Sequence, residues 1–280
     1  MPYTAEISRA NPTCFVFVLD QSGSMTEPFG GTEGVSQSKA DFLADVTNKT
    51  LHDLVLRCAK TEEIRNYYYV ALIGYGGEVG SAYAGALAGK DLVPISDVAN
   101  SPARVETRPK KVPDGAGGLV DQNVRFPTWV DPKAGGNTPM CAALRMAQQL
   151  LEKWVSEHRT SYPPTVLHIT DGESTDGDPT EIGKNILSLS TSDGGVLMFN
   201  CHVTTQRAPM ILYPSSASSL PSDHAKMLFN ISSAVPASFH EAAKSIGVNL
   251  EEGARGLVFN ANPSSLIQFF EIGTRPANLR

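Results

Sequence analysis

The amino-acid sequence predicts an α/β fold in three layers, with a doubly wound, mostly parallel central sheet and helices on both faces. Two observations favour this class. Short apolar runs typical of strands alternate along the chain with longer segments of helical periodicity. The first apolar run, at residues 15–19, is continuous, which is typical of a parallel strand buried on both faces.

The predicted elements follow one another in a regular order. Strands are expected at residues 15–19, 67–73, 165–170, 196–203 and 256–259. Helices are expected at residues 36–58, 139–157, 179–189, 222–233, 238–246 and 263–272. The helix at 36–58 has apolar residues at helical spacing, namely Phe42, Leu43, Val46, Leu51, Leu54 and Val55. The helix at 139–157 has a similar stripe, formed by Leu144, Ala147, Leu150, Leu151 and Trp154.

A chain of 280 residues suits one α/β domain with additions. We expect a single domain over residues 1–280, with an insertion at about 80–136 and a C-terminal helical extension. Within the insertion, residues 105–112 and 119–126 are expected to pair as a hairpin across a turn at 113–118, and Trp129 is expected to be packed. Two interpretations of the insertion stay open: a functional loop beside a binding site, or an edge addition that only lengthens the sheet.

Composition excludes several classes of protein. The formal net charge is −6 and no long basic run exists, so nucleic acid is not an expected partner. No stretch of 18 apolar residues is present, so no membrane span is expected. The N-terminal residues lack a charged-then-apolar signal region, which favours a cytoplasmic location. The four cysteines lie far apart in apolar or helical segments, and we expect buried free thiols rather than disulfides or a zinc site.

The segment directly after the first predicted strand carries the strongest chemical signal. Asp20, Ser22 and Ser24 lie at alternate positions, and Gly23 allows the backbone to turn. One carboxylate and two hydroxyls directed to one point suit a small, hard cation such as Mg²⁺. The carboxyl end of a strand is also where open α/β sheets usually bind ligands. Taken alone, the segment could equally be a capped strand-to-helix turn.

Two distant segments extend this pattern. Thr138 lies in the segment Gly135-Gly136-Asn137-Thr138 before a predicted helix, and Asp171 follows the strand at 165–170. Separately, Thr138 could be a helix cap and Asp171 part of a tight turn. The acidic residues after Asp171 do not fit an EF-hand, because Asp176 occupies the position that requires glycine. We interpret Glu173, Asp176 and Asp178 as a solvated acidic rim that caps the helix after residue 179.

Three segments follow one another in this order: Asp-x-Ser-x-Ser, a Thr before a helix, and Thr-Asp-Gly after a strand. In this order they resemble the von Willebrand factor type A (VWA) family, and the resemblance covers roughly residues 11–273. The resemblance implies a metal-ion-dependent adhesion site. Carried over to this chain, Ser22, Ser24 and Thr138 would bind the metal directly through their hydroxyls, and Asp20 and Asp171 mainly through water. It implies Mg²⁺ as the metal, with Mn²⁺ or Ca²⁺ as alternatives.

The resemblance also implies a function. In the VWA family, a Glu or Asp of another protein completes the metal shell, so the expected partner is a protein that supplies an acidic residue, such as an ATPase, kinase or protease component. The nearest resemblance is to small bacterial VWA proteins of the tellurite-resistance and stress-response type, which implies an adaptor or regulatory subunit.

An enzyme is the alternative. A metal-dependent phosphohydrolase would use Asp20 as nucleophile, but such enzymes need a second carboxylate two residues on, where Ser22 stands. The sequence has no phosphate-binding Gly-x-x-x-x-Gly-Lys loop, and its six histidines are scattered. His168 and His202 fall within predicted strands and are expected to be structural. We therefore predict no enzymatic activity.

Overall fold

The computed structural model describes residues 3–32, 35–60, 63–113, 118–205 and 208–275. The strands are β1 (Thr13–Asp20), β2 (Pro28–Thr32), β3 (Val35–Ser38), β4 (Ala59–Lys60), β5 (Glu63–Ile64), β6 (Tyr68–Tyr75), β7 (Val79–Ser81), β8 (Val93–Pro94), β9 (Arg104–Pro113), β10 (Leu119–Thr128), β11 (Thr165–Thr170), β12 (Ser190–Thr191), β13 (Gly194–Gly195), β14 (Leu197–Val203), β15 (Ile211–Leu212) and β16 (Leu257–Ala261). The α-helices are α1 (Lys39–Cys58), α2 (Ile95–Asn100), α3 (Met140–Glu157), α4 (Thr180–Ser188), α5 (Asp223–Asn230), α6 (His240–Ser245) and α7 (Pro263–Gly273). Short 3-10 helices cover Gly23–Thr26, Gly85–Leu87 and Ala237–Phe239.

Within the described residues, the central sheet has the strand order β15-β16-β14-β11-β1-β6-β7, with β8 also paired to β6. The five inner strands, β16, β14, β11, β1 and β6, are parallel to one another. The outer pairings of β15, β7 and β8 are antiparallel. The predicted α/β class with a mostly parallel sheet is therefore confirmed.

The direction in which successive strands are added to the sheet reverses at β1. From β1 it passes to β6 on one side, and the next inner strand, β11, pairs with β1 on the other side. The carboxyl ends of β1 and β11 lie side by side, since Leu19 is in register with Ile169. In an open α/β sheet this is the switch point at which ligands usually bind.

Alternation along β1 divides the apolar core into two layers. Phe15, Phe17 and Leu19 pack into one cluster with residues of α1 and α7. Cys14 and Val16 pack into a second cluster with residues of α3, α4 and α5. Because successive side chains of a strand point to opposite faces, a continuous apolar strand is needed to serve both layers. The predicted arrangement of helices on both faces is confirmed.

The first long helix begins later than the sequence predicted. Residues 35–38 form β3, which pairs with β2, and α1 begins at Lys39. Ser38 caps the helix: its Oγ accepts a hydrogen bond from the backbone N–H of Asp41, and the Asp41 carboxylate accepts one from the backbone N–H of Ser38. This reciprocal capping box fixes the start of α1 and so fixes the position of Lys39.

The predicted hairpin is present as β9 and β10, with Val105 paired to Pro127. Residues 114–117 of its predicted turn lie outside the described residues. The hairpin forms a separate two-stranded sheet, so it does not lengthen the central sheet; β7 and β8 do. It is joined to α1 by an ion pair of 2.8 Å between Arg108 and Asp45.

A buried asparagine on α1 anchors the chain where it leaves this hairpin. The Asn48 side-chain oxygen accepts hydrogen bonds from the backbone N–H groups of Trp129 and Val130, and its amide donates to the carbonyl of Val130. Trp129 is buried, as predicted, and its indole N–H donates to the carbonyl of Val98. The chain therefore re-enters the core before it reaches Thr138.

The four cysteines, Cys14, Cys58, Cys141 and Cys201, are buried free thiols, as predicted. Among the helices of the described ranges, none has the length and apolar character needed to cross a bilayer.

Candidate functional site

The loops after β1 and β11 bring together four of the five predicted site residues. Ser22 Oγ lies 3.1 Å from Ser24 Oγ. The Ser24 hydroxyl in turn donates a hydrogen bond of 2.7 Å to Oδ1 of Asp171. Asp20 Oδ1 accepts a bond of 2.9 Å from the backbone N–H of Ser22. Asp20, Ser22, Ser24 and Asp171 are therefore one hydrogen-bonded group, built from two parallel neighbouring strands.

Asp20 is held at the base of this group and is only 1% exposed. Its second carboxylate oxygen, Oδ2, accepts hydrogen bonds from the hydroxyl of Thr170, at 2.9 Å, and from the backbone N–H of Asp171, at 3.4 Å. Burial raises the pKa of Asp20 above its ordinary value, although hydrogen bonds from Ser22 and Thr170 oppose the shift. The sequence analysis included Thr170 in the Thr-Asp-Gly motif but gave its side chain no role, because a threonine at the end of a strand is common.

Thr138 joins the site through its loop. The backbone N–H of Gly135 donates to the carbonyl of Gln21 at 2.8 Å, and the N–H of Gly23 donates to the carbonyl of Gly136 at 3.1 Å. These two bonds tie the loop before α3 to the loop that carries Ser22 and Ser24. Thr138 itself is buried, its backbone N–H donates to the Thr175 hydroxyl at 3.0 Å, and its carbonyl accepts the backbone N–H of Thr175 at 2.9 Å.

The close approach of these loops requires glycine at one position in particular. Gly136 has a positive φ of 76°, and a Cβ atom there would lie 2.5 Å from the backbone of Gly77. L-residues rarely adopt this conformation, and the neighbouring backbone leaves no room for a side chain. Gly136, two residues before Thr138, therefore has a steric role in building the site.

A lysine that the sequence analysis did not select lies directly beside Asp171. Lys39, the first residue of α1, places its Nζ atom 2.9 Å from Asp171 Oδ2 and 2.7 Å from Glu27 Oε2. Burial acts to lower the pKa of Lys39, but the hydrogen bonds and charges of Glu27 and Asp171 outweigh it and raise the pKa. Lys39 is therefore a buried ammonium in contact with the site.

The acidic segment after Asp171 differs in part from the prediction. Asp178 accepts hydrogen bonds from the N–H and hydroxyl of Thr180 and caps α4, as expected. Asp176 instead caps α3, because its two oxygens accept the backbone N–H groups of Cys141 and Ala142, each at 2.9 Å. The interpretation of Asp176 as a cap of the helix after residue 179 is wrong. Its actual role is to hold the loop after β11 against the helix that follows Thr138.

A buried polar chain lies in the central strands that support the site. The amide nitrogen of Asn200 faces Ser232 Oγ at 2.9 Å, so its oxygen, 2.8 Å from His168 Nδ1, is the acceptor. Nδ1 of His168 then carries the proton, and Nε2 accepts the hydroxyl of Tyr75 at 2.9 Å. His168 is fully buried, which lowers its pKa to about 4. His168 is thus a satisfied structural residue, as predicted.

The donors of the site are all oxygens. Within the described part of the chain, no group of three or more His, Cys, Asp and Glu residues is arranged to hold a metal ion. Any cation at the carboxyl ends of β1 and β11 would therefore depend on the serine hydroxyls as well as on Asp20 and Asp171. Hydroxyl and carboxylate oxygens are the donors that Mg²⁺ and Mn²⁺ accept, and are poor ligands for softer metals.

Comparison with known proteins finds similarity to solved structures alone. No protein-family model matches the sequence. No curated protein is significantly similar to it. One similar structure is the ArnB paralog VWA2 of Sulfolobus acidocaldarius, 13% identical over 95% of this chain and 45% of that chain, with a TM-score of 0.42.

Two further similar structures come from pili. The vWF domain of the type V pili tip protein Mfa5 of Porphyromonas gingivalis is 14% identical over 59% of this chain and 39% of that chain, with a TM-score of 0.31. The pilus adhesin SpaC of Lactobacillus rhamnosus GG is 16% identical over 71% of this chain and 25% of that chain, with a TM-score of 0.41. This chain thus spans less than half the length of each of the three, and similarity at this level does not establish family membership.

Proposed function

We propose that this chain is a VWA domain that binds a divalent cation, Mg²⁺ with Mn²⁺ or Ca²⁺ as alternatives, and uses it to dock an acidic side chain of a protein partner. The observation that carries the proposal is the single hydrogen-bonded group formed by Asp20, Ser22, Ser24 and Asp171 at the switch point of the sheet. These residues come from segments about 150 positions apart, yet all of them present oxygen atoms.

The spacing of the two serine hydroxyls supports a magnesium site. In an octahedral shell with metal–oxygen bonds of about 2.1 Å, neighbouring ligand atoms lie about 3 Å apart. Ser22 Oγ and Ser24 Oγ are 3.1 Å apart. Ser22, Ser24 and Thr138 would hold the ion through their hydroxyls, and Asp20 and Asp171 would act through water. When bound, the ion would supply a Lewis-acidic position that accepts a carboxylate oxygen.

The surroundings of Asp20 favour a binding role over catalysis. An aspartate nucleophile needs an oxygen that can reach a substrate, but Asp20 is 1% exposed and both of its oxygens accept hydrogen bonds from the chain itself. The position two residues on is Ser22, which cannot serve as a general acid or base at neutral pH. We therefore propose a binding module without enzymatic activity.

We further propose that the module acts in the cytoplasm as an adaptor or regulatory subunit of a multi-protein stress-response or defence system. The resemblance of the three metal-site motifs to small bacterial VWA proteins supports this context. The four buried free thiols are compatible with a reducing compartment. An ATPase, kinase or protease component that presents an exposed Glu or Asp is the expected partner class.

Titration with Mn²⁺, followed by electron paramagnetic resonance, tests the metal site. We expect one ion per chain in the native protein and loss of binding in Ser22→Ala. Ser156→Ala serves as the matched control, because Ser156 lies exposed on α3, where its hydroxyl donates to the carbonyl of Lys153. Equal binding by all three proteins would refute the site.

A pull-down with the immobilised native protein tests docking through the ion. Partners are expected to be retained in Mg²⁺, to elute with EDTA and to be absent with Ser22→Ala. Partners that survive both treatments unchanged would show that docking does not involve the cation. Assays of the recovered complex for ATPase, kinase and protease activity would then separate an adaptor from a regulatory subunit.

A further inference from the structure

Lys39 is an unusual neighbour for a cation site. Its side chain is only 4% exposed. Its Nζ atom lies 2.7 Å from Glu27 Oε2, and its backbone N–H donates to the carbonyl of Glu27 at 2.9 Å. Burying an ammonium is costly unless it is paired, so these contacts must hold Lys39 in one position.

The charge of Lys39 is directed to the carboxylate of Asp171. This carboxylate has no exposed surface: Oδ1 accepts the Ser24 hydroxyl at 2.7 Å, and Oδ2 accepts the Lys39 ammonium at 2.9 Å. Asp171 thus shares the Lys39 ammonium with Glu27, and part of its negative charge is compensated by the chain itself. A carboxylate that is paired with an ammonium attracts a second cation less strongly than an unpaired carboxylate does.

We infer that Lys39 sets the metal affinity of this site: its ammonium competes with the divalent cation for Asp171 and keeps the affinity for free Mg²⁺ low. The inference rests on the proposed function, because it assigns a role toward the proposed ion. Lys39 is a positioning and affinity-determining residue, since its ammonium donates hydrogen bonds to Asp171 and Glu27.

A purely structural role for Lys39 predicts the opposite result. If the ammonium only fixed the orientation of Asp171, its removal would loosen a metal-binding carboxylate and weaken cation binding. If the ammonium competes with the ion, its removal strengthens cation binding. Repulsion between an ammonium and a dication is large in a partly buried site, where water and salt screen charges poorly. We therefore expect the competing effect to prevail.

Metal titration of three variants tests the inference without reference to any partner. Lys39→Gln is expected to bind Mn²⁺ about tenfold or more tightly than the native protein, by electron paramagnetic resonance or calorimetry. Lys39→Arg keeps the positive charge and is expected to stay within about threefold of the native affinity. Lys49→Gln is the matched control, because the substitution makes the same change in net charge. Lys49 lies exposed on the same helix, where it pairs with Asp53.

Lys39→Gln removes the ionic partner of Glu27, so a second variant guards against loss of folding. The double variant Lys39→Gln/Glu27→Gln removes both charges, leaves the net charge of the chain unchanged and retains groups able to form hydrogen bonds. The Glu27 carboxylate accepts hydrogen bonds from Lys39 and Thr205, so losing its charge is expected to change cation affinity less than losing the ammonium. The double variant should also bind Mn²⁺ more tightly than the native protein.

Failure of this inference can be told apart from failure of the proposed function. Ser24→Ala, introduced into the native and the Lys39→Gln proteins, should abolish Mn²⁺ binding in both. If it does so while neither Lys39→Gln nor the double variant binds more tightly than the native protein, the metal site stands and the role of Lys39 is wrong. If Ser24→Ala has no effect in either background, the ion lies elsewhere and both conclusions fall.

Discussion

Ser24 and Asp171 are joined by a hydrogen bond of 2.7 Å from the serine hydroxyl to the carboxylate, although they are 147 positions apart in the chain. The bond links the loop after β1 to the loop after β11 across the switch point of the sheet. It makes the two halves of the candidate metal site a single unit. The stability of that unit, and its response to metal, can be measured.

Metal should stabilise the native protein, and Ser24→Ala should remove the effect. A ligand that binds only the folded state stabilises it by about 2.7 kcal/mol at a hundred times its dissociation constant. We therefore expect the melting temperature in saturating Mg²⁺ to exceed that in EDTA by several degrees. Differential scanning calorimetry measures the shift. Ser24→Ala should melt at the same temperature in both buffers, whereas Ser156→Ala should behave as the native protein does.

Gly136→Ala should destabilise the loop that carries Thr138. The substitution places a Cβ atom 2.5 Å from the Gly77 backbone, in a residue with a φ of 76°. We expect a loss of about 2 kcal/mol or more in the free energy of unfolding, together with weaker metal binding. Urea denaturation in EDTA isolates the first effect from the second.

The adjacent glycine provides the control. A Cβ atom on Gly135 would meet nothing within 4 Å. Gly135→Ala is therefore expected to change the free energy of unfolding by less than about 1 kcal/mol. Equal destabilisation by the two substitutions would show that the approach of Gly136 to Gly77 is not what limits this position.

Asn48→Ala should detach the exit of the hairpin from α1. It leaves the buried N–H groups of Trp129 and Val130 and the carbonyl of Val130 without their side-chain partner. Unsatisfied buried backbone groups cost about 1–3 kcal/mol each, and partial relaxation should hold the total to about 2–4 kcal/mol. Equilibrium unfolding in urea measures it. Asn123→Ala, at an exposed position of β10, should cost less than about 0.5 kcal/mol, and a similar cost at both sites would contradict the prediction.

The fold should become less stable as pH is lowered, because His168 takes up a proton more readily in the unfolded chain. Burial lowers the pKa of its imidazole from 6.5 to about 4 in the folded protein. The unfolded chain therefore binds a proton that the folded chain does not, and the free energy of unfolding decreases as pH falls from about 6.5 to about 4. Between pH 7 and pH 5, His168 should account for a loss of about 2 kcal/mol.

His168→Gln removes this contribution. The variant is expected to be less stable than the native protein at pH 7, because its contacts with Tyr75 and Asn200 are disturbed. Its free energy of unfolding should nevertheless decline less steeply between pH 7 and pH 5. Urea denaturation curves at several pH values give both slopes. If the free energy of unfolding falls equally with pH in the two proteins, the pKa of His168 does not differ between the folded and unfolded states.

The main strands could be predicted from the sequence because their signal is local. Each is a short apolar run, and the observed strands β1, β6, β11 and β14 begin or end within two residues of the predicted ranges. The antiparallel strand β3 was missed, and residues 36–38 were assigned to the following helix. The segment Val35–Ser38 has little apolar character, and it becomes a strand because β2 pairs with it.

Lys39 was not predictable from ordinary sequence rules, although one signal was present. A lysine in the first turn of a helix is unfavourable, because the positive end of the helix dipole lies there. A residue that breaks a local rule often has a tertiary role. The capping box of Ser38 and Asp41 marked the start of the helix, so the conflict could have been noticed from the sequence.

The sequence by itself determined the α/β class and the strands that end at the candidate site, and it selected the residues proposed as oxygen donors, since each of these depends on a short run of residues. Only the tertiary structure decided that Lys39 compensates Asp171, that Asp176 caps α3 and that the hairpin stands apart from the central sheet. These are contacts between segments tens to more than a hundred positions apart. They depend on how loops and helices pack around the sheet, which no local pattern of residues specifies.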